Sequence, residues 1–343
     1  MNSLNPATMH LPEDKERNSV PDIPQDSRLS LYRRLKLIRR CEEYILRHYP
    51  ENEMTTPMHM SMGQEAIPAA VCEALGDDCE AVTSYRSHAT FLARTGSSSL
   101  FFGELYGREA GTADGKGGSM HLAALELGHF CSSAIVGAGF AVATGMAFAN
   151  KRQKTGKIAT VFFGDGAVDE GAFWESLNGA SVMRLPVLFV LEDNGYAVNT
   201  PPRERYGFKS IEGVVRQFDC AFFADHSNDP ESLYETAQAA AAAIRQTDGP
   251  AFIHARCCRY LEHVGIGDDV DTGYRTREEL EAWRTRDAVE TLRERLVNDQ
   301  LGAQVDDIDR ALEEEISTSV RAAMASPSPA HAKLFHGVFH ENT

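Results

Sequence analysis

Three continuous apolar segments alternate with helical patterns in the second half of the chain. The segments cover residues 158–163, 185–191 and 252–255, and helices are predicted between them at 169–183 and 230–245. Uninterrupted apolar strands are typical of parallel strands that are buried on both faces of a sheet. The alternation therefore predicts an α/β fold, a doubly wound and mostly parallel sheet flanked by helices.

Further elements are predicted around this alternation. Apolar spacing and composition place helices at 29–49, 63–75, 87–94, 98–106, 276–298 and 305–326, and a short strand at 81–84. The glycine-rich segment 107–130 is predicted to be a long functional loop. The 343 residues divide into a flexible acidic tail (1–27, ending at the potential helix cap Ser27), one α/β domain with C-terminal helices (28–327) and a C-terminal tail (328–343).

Charge and composition exclude several classes of protein. The 50 Asp and Glu residues outnumber the 34 Lys and Arg residues, and the net charge of −16 disfavours binding to a phosphate backbone. The longest apolar run, 134–149, is too short for a bilayer, so a buried helix is predicted there. The N-terminus has no apolar signal segment, and the seven cysteines include no C-x-x-C pair. A reducing cytoplasm is the expected compartment.

Polar residues follow two of the predicted strands directly. Gly164, Asp165, Gly166 and Ala167 follow the first strand, and Asn194 follows the second. The glycines allow a sharp turn with free backbone amides, and the N-terminus of the next helix favours an anion. A carboxylate and an amide oxygen on adjacent strand ends suit Mg²⁺, which commonly also binds phosphate oxygens. The pattern predicts a magnesium diphosphate site, although Gly-Asp-Gly alone is more often a tight turn in which Asp caps a helix.

The spacing of these residues strengthens the metal-site interpretation. Asp165 and Asn194 are 29 residues apart, which is enough for one helix and one returning parallel strand. The arrangement resembles the thiamine-diphosphate fingerprint, in which Gly-Asp-Gly is followed, one helix and one strand later, by an asparagine. The resemblance implies thiamine diphosphate and Mg²⁺ as cofactors, with the metal held by the side chains of Asp165 and Asn194 and the main-chain carbonyl of Tyr196.

Further motifs occur in the order of one protein family. They are Pro57-Met58-His59-Met60-Ser61-Met62-Gly63-Gln64-Glu65-Ala66, Tyr85-Arg86-Ser87-His88, Gly117-Gly118-Ser119-Met120-His121, Ile135-Val136-Gly137 and Tyr274-Arg275-Thr276-Arg277-Glu278-Glu279. From about Leu29 onward, the chain resembles the α subunit of two-chain thiamine-diphosphate-dependent 2-oxo acid dehydrogenases, the E1 component of pyruvate, acetoin and branched-chain dehydrogenases. The resemblance implies the diphosphate-binding domain of the thiamine-diphosphate-binding fold.

The resemblance also implies roles for individual residues. Five residues match positions that contact the diphosphate: Tyr85, Arg86, Gly166, Ala167 and His263. Gly164, which opens the turn that contains Gly166 and Ala167, is also expected to bind the cofactor. Val136 matches the position whose backbone meets the aminopyrimidine ring, and Ile135 lies beside it. The family's active-site histidines match His59, His88 and His263.

A partner and a reaction follow from the same resemblance. In the family, the glutamate that protonates the aminopyrimidine belongs to a β chain, so this α subunit is expected to act only with a β subunit, in an α2β2 heterotetramer. The expected reaction is decarboxylation of a pyruvate-like or branched-chain 2-oxo acid, followed by acyl transfer to a lipoyl-bearing acyltransferase. The alternative is an acetoin-type dehydrogenase subunit, or an acyl or ketol transferase, with a non-lipoyl acceptor.

Other interpretations depend on particular residues. A nicotinamide-dependent dehydrogenase needs Gly-x-Gly-x-x-Gly or Ala after a strand, but the nearest match, 137–142, ends in Val142 and no strand is predicted before it. A non-catalytic assembly subunit would not bind thiamine diphosphate.

Two residues depart from the pattern of the family. Asp193 stands where the family commonly has a second asparagine. Val264 stands where kinase-regulated relatives carry a serine, so control by phosphorylation is not expected there.

Small residues recur on the helix predicted after residue 137. Gly137, Ala141, Gly145 and Ala149 form a row at four-residue spacing. Such a row allows close packing within the domain, which is the default interpretation. It also allows a close helix contact across a subunit boundary, which the assembly of the family favours.

Overall fold

The computed structural model describes residues 23–337 of the chain. Most of the predicted N-terminal tail (1–22) and the last residues (338–343) lie outside this range. The α-helices of the described part are α1 (Gln25–His48), α2 (Ala66–Leu75), α3 (His88–Thr95), α4 (Ser98–Leu105), α5 (Ala138–Gln153), α6 (Gly171–Met183), α7 (Ile211–Val215), α8 (Pro230–Thr247), α9 (Arg277–Arg284), α10 (Ala288–Asn298) and α11 (Gly302–Ala325).

One parallel sheet forms the centre of the described part. Its strands are β1 (Cys79–Ser84), β2 (His129–Ser133), β3 (Ile158–Gly164), β4 (Val187–Asp193), β5 (Ala221–Asp225) and β6 (Ala251–Arg256). Their order is β2-β1-β3-β4-β6-β5, and every neighbouring pair is parallel. The predicted α/β class with a parallel sheet is confirmed, and all carboxyl ends of the strands meet at one edge.

Helices cover both faces of this sheet. Side chains alternate along a strand, so Phe163 of β3 packs with Phe140 of α5 and Phe173 of α6 on one face. The Phe140 and Phe163 ring centroids are 4.7 Å apart. Phe162 lies in the second, larger apolar core with residues of α1, α2 and α8. Because both faces are covered, β3 and β4 are buried along nearly their whole length, which explains their continuous apolar sequences.

The sequence analysis missed the two edge strands. β2 and β5 each have one neighbour in the sheet and are partly exposed. β2 carries the polar residues His129, Ser132 and Ser133, so it does not resemble a buried strand. β2 also shows that a strand does precede Gly137, contrary to the prediction. One argument against a nicotinamide-binding motif remains: Val142 stands at the last position, where that motif needs glycine or alanine.

Several element boundaries and one terminal segment differ from the predictions. α1 begins at Gln25, directly after Pro24, so the predicted tail ends earlier and Ser27 lies inside the helix. The single helix predicted at 276–298 is two helices, because the Asp287 side chain accepts hydrogen bonds from the backbone of the next residues and starts α10. In the segment predicted as a C-terminal tail, Lys333 forms an ion pair of 3.1 Å with Glu109.

The helix predicted to be buried, α5, is buried on one side only. Phe140, Ala143 and Ala147 face the core, whereas Gly145 and Phe148 are exposed on the other side. A Cβ added at Gly145 would meet nothing within 4 Å. Close packing within the domain therefore does not explain this position.

Two further observations concern the membrane and the cysteines. Within residues 23–337, every helix is too short or too polar to cross a bilayer. All seven cysteines, which lie in the described part of the chain, are free thiols.

Candidate active site

The carboxyl ends of β3 and β4 lie side by side. Gly164, the last residue of β3, pairs with Glu192 near the end of β4. Asp165 and Asn194 therefore follow neighbouring strands at the same edge of the sheet, and Tyr196 lies two residues further along. The structure brings the predicted metal ligands to the position where parallel sheets commonly bind ligands.

Two hydrogen bonds fix the Asn194 side chain. Its Oδ1 accepts from the Tyr196 backbone N–H at 3.1 Å, and its Nδ2 donates to Oε1 of buried Gln64 at 3.0 Å. Because Gln64 holds the amide nitrogen, the amide oxygen is turned toward Tyr196 and keeps a lone pair for a ligand. Sequence reasoning did not assign Gln64 this role.

The Asp165 carboxylate is almost completely buried. Only 2% of the residue is exposed. Burial and the neighbouring Asp193 raise its pKa to about 7, and the charge of Arg205 opposes this shift. Arg205 Nη2 donates to Asp165 Oδ2, and Tyr206 OH donates to the Asp165 carbonyl oxygen at 2.8 Å. Sequence reasoning missed both residues, which lie about 40 positions further along the chain.

A 3-10 turn, rather than a helix, follows Asp165. The turn covers Asp165–Asp169, and α6 begins only at Gly171. The helix predicted to begin at residue 169 therefore begins two residues later, and the backbone amides nearest Asp165 belong to the turn. Ala167 of the turn is buried in the apolar core, which fixes its position below the strand ends.

The two glycines beside Asp165 serve different purposes. A Cβ at Gly166 would lie 2.8 Å from Cβ of Ala197, so close packing requires glycine there. A Cβ at Gly164 would meet nothing within 4 Å. Open space at Gly164, next to free amides, could receive an anionic group.

A ring cluster from three segments lies beside this edge. The ring centroids of His59, Tyr85 and His263 are 4.6 Å (His59–Tyr85), 5.4 Å (His59–His263) and 5.7 Å (Tyr85–His263) apart. Buried Arg86 donates from Nη2 to the His263 carbonyl oxygen at 3.0 Å and from Nη1 to the Met60 carbonyl oxygen at 2.7 Å. Four predicted site residues are thus brought together: His59, Tyr85, Arg86 and His263. Tyr85 and Arg86 directly follow β1.

The segments that carry His59 and His263 hold each other. His59 and Gly265 form a parallel bridge. Gly63 has a φ of +89°, and a Cβ there would lie 2.2 Å from the carbonyl oxygen of Cys258. Only glycine fits this approach, because the left-handed conformation and the contact both exclude a side chain.

Burial and nearby positive charge keep both ring-cluster histidines neutral. Burial, with the Arg86 charge second, lowers the pKa of His59 to about 3 and that of His263 to about 4. Burial also lowers the pKa of Arg86 to about 10, so this guanidinium stays charged at neutral pH. His59 Nδ1 is buried and has no hydrogen-bond partner among the described residues. One cation and neutral imidazoles with a free ring nitrogen suit an anionic ligand.

His88 does not join this cluster. It is fully buried, with Nδ1 at 2.6 Å from Glu42 Oε1, and Glu42 Oε2 accepts from the Ser61 backbone N–H at 2.6 Å. Its ring lies 5.0 Å from that of Phe101. Its Nε2 finds no hydrogen-bond partner in residues 23–337. In this chain His88 supports packing and an internal hydrogen bond, and the predicted catalytic role stays a prediction.

The positions predicted to meet the aminopyrimidine are open to solvent. Ile135 is 68% exposed and Val136 is 39% exposed, between β2 and α5. The Ile135 backbone N–H donates to Ser133 Oγ at 3.1 Å, which holds the segment in place. Adjacent exposed apolar side chains beside a candidate site are typical of a surface that another molecule covers.

A histidine from the neighbouring strand anchors the residue before Asn194. His254 Nε2 lies 2.8 Å from Asp193 Oδ2, and Asp193 Oδ1 accepts from the Gly195 backbone N–H at 2.9 Å. Although burial acts in the opposite direction, the hydrogen bond from His254 and the charge of Arg256 lower the pKa of Asp193. Asp193, at the position where asparagine was expected, thus stabilises the turn that carries Asn194.

A buried glutamate organises the glycine-rich loop. Glu104, which is 1% exposed, accepts hydrogen bonds from the backbone N–H groups of Ala113 (2.8 Å), Gly115 (3.1 Å), Gly117 (2.7 Å) and Gly118 (2.9 Å). The sequence analysis predicted the loop but missed this residue. Because the loop continues into the motif that begins at Gly117, Glu104 connects it to the site.

The donor atoms at the strand ends indicate which metal the site could hold. In the described range, no three His, Cys, Asp or Glu side chains form a group that could hold a metal ion. The candidate ligands are instead one carboxylate (Asp165), one amide oxygen (Asn194) and one main-chain carbonyl (Tyr196). Oxygen ligands with a single carboxylate fit Mg²⁺ that is also bound by substrate or cofactor phosphates.

Comparison with known proteins agrees with this geometry. The sequence profile of the dehydrogenase E1 component family matches residues 33–332. The α subunit of acetoin:2,6-dichlorophenolindophenol oxidoreductase from Bacillus subtilis (strain 168) is 30% identical over 318 residues, which cover 92% of this chain and 95% of that protein. The pyruvate dehydrogenase E1 component α subunit of Rickettsia felis is 30% identical over 310 residues, covering 90% and 94%. The mitochondrial pyruvate dehydrogenase E1 α subunit of Dictyostelium discoideum is 30% identical over 318 residues, covering 92% and 83%.

The matched region includes both strand ends, the ring cluster and the glycine-rich loop. The family predicted from the motifs is confirmed. Membership implies thiamine diphosphate as the cofactor, and the α label of the relatives implies a β partner. The chain belongs to the dehydrogenase E1 component family, among its α subunits.

Proposed function

We propose that this α subunit and a β chain together bind thiamine diphosphate and Mg²⁺ and decarboxylate a 2-oxo acid. One observation carries the proposal: the neighbouring strand ends place Asp165 and Asn194 at the edge where the Arg86 and His263 cluster also lies. Thiamine diphosphate, when bound, supplies the electron sink that decarboxylation requires. The protein must then position the cofactor and handle protons.

The residues at this edge fit those tasks. Asp165 and Asn194 would hold the metal with the carbonyl oxygen of Tyr196. The fixed charge of Arg86, with hydrogen-bond donors from Tyr85, would bind the diphosphate. The amides of the turn at Gly166 and Ala167 would face the same anion. These assignments account for the open space at Gly164.

The neutral histidines are suited to proton handling near the reacting atoms. His59 Nδ1 is buried and free of a partner in the described part of the chain, so it can accept or donate one hydrogen bond to a ligand. An anion close to His263 would raise the pKa of that imidazole toward its ordinary value. His59 is therefore the proposed contact of the substrate carboxylate, and His263 is the proposed contact of the diphosphate. His88, which does not join the ring cluster, would act indirectly through it.

Exposed apolar residues support the need for a partner chain. Ile135 and Val136 would line the bent cofactor, yet in this chain they face solvent. The glutamate that activates the aminopyrimidine in the family comes from the β chain. We propose an α2β2 assembly in which the β chain covers Ile135 and Val136 and completes the site.

Replacing Gly145 by leucine is expected to weaken assembly more than folding. Gly145 is exposed on α5 with room for a side chain in this chain, so leucine would clash mainly with an approaching helix. Overpacking of about 1–3 kcal/mol corresponds to a dissociation constant raised by roughly 5- to 150-fold. Light scattering measures the assembly and circular dichroism the fold. Ala239→Leu, at an exposed position of α8, is the matched control. Lost folding with unchanged oligomer size would contradict the interface assignment.

The acyl acceptor defines two versions of the function. In the first version, the enzyme is part of a 2-oxo acid dehydrogenase complex and passes the acyl group to a lipoyl-bearing acyltransferase. The second uses a non-lipoyl acceptor. The identity with the acetoin oxidoreductase subunit, 30%, equals the identity with the pyruvate dehydrogenase subunits, so both versions are carried into the test. The pocket alone does not separate substrates that differ by one methylene, because such a difference contributes only about 1–3 kcal/mol.

Co-expression with a β-type chain tests the proposed function. The assembly is assayed on pyruvate, branched-chain 2-oxo acids and acetoin, with an artificial electron acceptor and then with a lipoyl protein. We expect cofactor-dependent turnover of at least one of these substrates. An assembly that binds thiamine diphosphate but releases no CO₂ from any oxo acid, and does not oxidise acetoin, would contradict the proposal.

A further inference from the structure

Arg205 extends from a surface loop to the Asp165 carboxylate. Its Nη2 donates to Asp165 Oδ2, and its Nη1 donates to Asp169 Oδ2 at 2.5 Å. The guanidinium thus bridges two carboxylates of the turn that follows β3. The Arg205 side chain is 12% exposed and that of Asp165 is 2% exposed, so this ion pair is largely shielded from water. Shielded pairs with good geometry hold their partners more firmly than surface pairs do.

Several other contacts hold the loop in this position. Arg205 Nε donates to the Thr200 carbonyl oxygen at 3.1 Å, and the guanidinium carbon lies 5.0 Å from the centre of the Tyr206 ring. Tyr206 OH donates to the Asp165 carbonyl oxygen at 2.8 Å. Because both residues contact Asp165, the guanidinium has a defined place beside Oδ2 and is not a freely moving surface group.

This contact makes the two oxygens of the Asp165 carboxylate unequal. Oδ2 accepts from Arg205, whereas Oδ1 receives no hydrogen bond from another residue of the described range. A carboxylate with one oxygen held by a guanidinium coordinates a cation through the other oxygen. Mg²⁺ needs a near-ideal octahedron with ligands at about 2.0–2.1 Å, whereas Ca²⁺ takes about 6–8 oxygens and accepts two-oxygen carboxylates.

We propose that Arg205 determines the metal preference of the site by holding Asp165 Oδ2, so that the carboxylate coordinates through Oδ1 alone. The inference rests on the proposed function, in which Asp165 is a metal ligand. With Arg205 present, the carboxylate offers a single, fixed oxygen, which suits a small six-coordinate ion. Without it, Oδ2 is released and the carboxylate offers both oxygens, which suits a larger ion.

The test compares Mg²⁺ and Ca²⁺ binding by the assembled α and β chains in the presence of thiamine diphosphate. Isothermal titration calorimetry gives a dissociation constant for each ion, and the informative quantity is their ratio. In Arg205→Gln, Mg²⁺ binding should weaken by about tenfold, since loss of a partner behind a metal ligand costs roughly 10–100-fold. Ca²⁺ binding should stay unchanged or become tighter. The preference for Mg²⁺ should therefore fall by about tenfold or more.

Two variants on the same loop serve as controls. Arg205→Lys keeps a cation at Oδ2 and should keep most of the preference for Mg²⁺. Arg203, whose side chain is 75% exposed and pairs with Glu204 at 3.4 Å, should be replaceable by glutamine without any effect on either ion. If Arg205→Gln fails to assemble, Arg205→Met replaces it in the same titrations, because methionine is also a long, unbranched side chain.

The outcomes separate this inference from the function on which it rests. A purely structural role of Arg205 would weaken both ions by the same factor, and the unchanged ratio would overturn the inference while the metal site stands. Tighter Mg²⁺ binding in Arg205→Gln would overturn it as well, because Arg205 would then compete with the metal. A wild-type assembly that binds neither ion with thiamine diphosphate would overturn the proposed metal site and the inference with it.

Discussion

Replacing Asp165 by alanine is expected to abolish cofactor-dependent turnover in the assembled protein. Asp165 is the one carboxylate among the candidate metal ligands at the strand ends, and no neighbouring residue of the turn occupies an equivalent place. Loss of an outer partner of a metal ligand already costs roughly 10–100-fold in affinity, so loss of the ligand should cost about 100-fold or more. Calorimetric titration with Mg²⁺ and thiamine diphosphate measures this loss, and CO₂ release measures its consequence.

A matched variant separates this effect from a general loss of charge. Asp219, whose side chain is 85% exposed and which forms a distant ion pair of 3.7 Å with Arg184, should be replaceable by alanine with full activity. Circular dichroism checks that Asp165→Ala remains folded, as expected because Arg205 keeps Asp169 as a partner. Full activity of Asp165→Ala in the assembly would show that the metal assignment is wrong.

Replacing Glu104 by glutamine is expected to destabilise the glycine-rich loop and the site beside it. The carboxylate accepts four backbone hydrogen bonds, and glutamine would turn an NH₂ group toward donors that need an acceptor. Each buried donor left without an acceptor costs about 1–3 kcal/mol, so the total loss should be about 3 kcal/mol or more. Urea unfolding measures the loss of stability, and limited proteolysis should show new cleavage within 107–118.

The loop variant should also affect cofactor binding. Ser119, directly after Gly118 in the loop, donates from Oγ to the Pro57 carbonyl oxygen at 2.5 Å and accepts at its own carbonyl from Ser87 at 2.7 Å. A mobile loop would release two of the three segments that carry the ring cluster. Glu109→Gln is the control, because this residue forms only a partly exposed ion pair with Lys333, worth about 0–1 kcal/mol. Equal stability of the two variants would contradict the role assigned to Glu104.

The fold was predictable where burial on both faces imposes an unmistakable pattern. β3 and β4 are covered by helices on each side, so their sequences are continuous apolar segments that indicate a parallel sheet. β2 could not be recognised, because its buried positions carry polar residues: His129 Nε2 lies 2.9 Å from Ser132 Oγ, a pairing that exists only in the folded strand. The break between α9 and α10 depends on one cap, Asp287, inside an otherwise helical pattern.

The site was predictable to the extent that sheet topology determines it. Parallel strands end at one edge, so a ligand-bearing residue after each strand can be located from the sequence alone, as Asp165 and Asn194 were. The contacts that support these residues could not be read in this way. Arg205 and Gln64 reach them from other segments, across 40 and 130 positions of the chain. No local pattern marks such pairs, because they exist only in the folded chain.

The most direct test of the proposed function measures Mg²⁺-dependent binding of thiamine diphosphate and decarboxylation of 2-oxo acids by the α chain, alone and after assembly with a β chain. We expect that the α chain alone decarboxylates no 2-oxo acid, because the β chain is proposed to complete the site and to cover Ile135 and Val136, which are exposed in this chain. After assembly, we expect tight, metal-dependent binding together with turnover. Decarboxylation by the α chain alone, or an assembly without any metal-dependent cofactor binding, would contradict the proposed function.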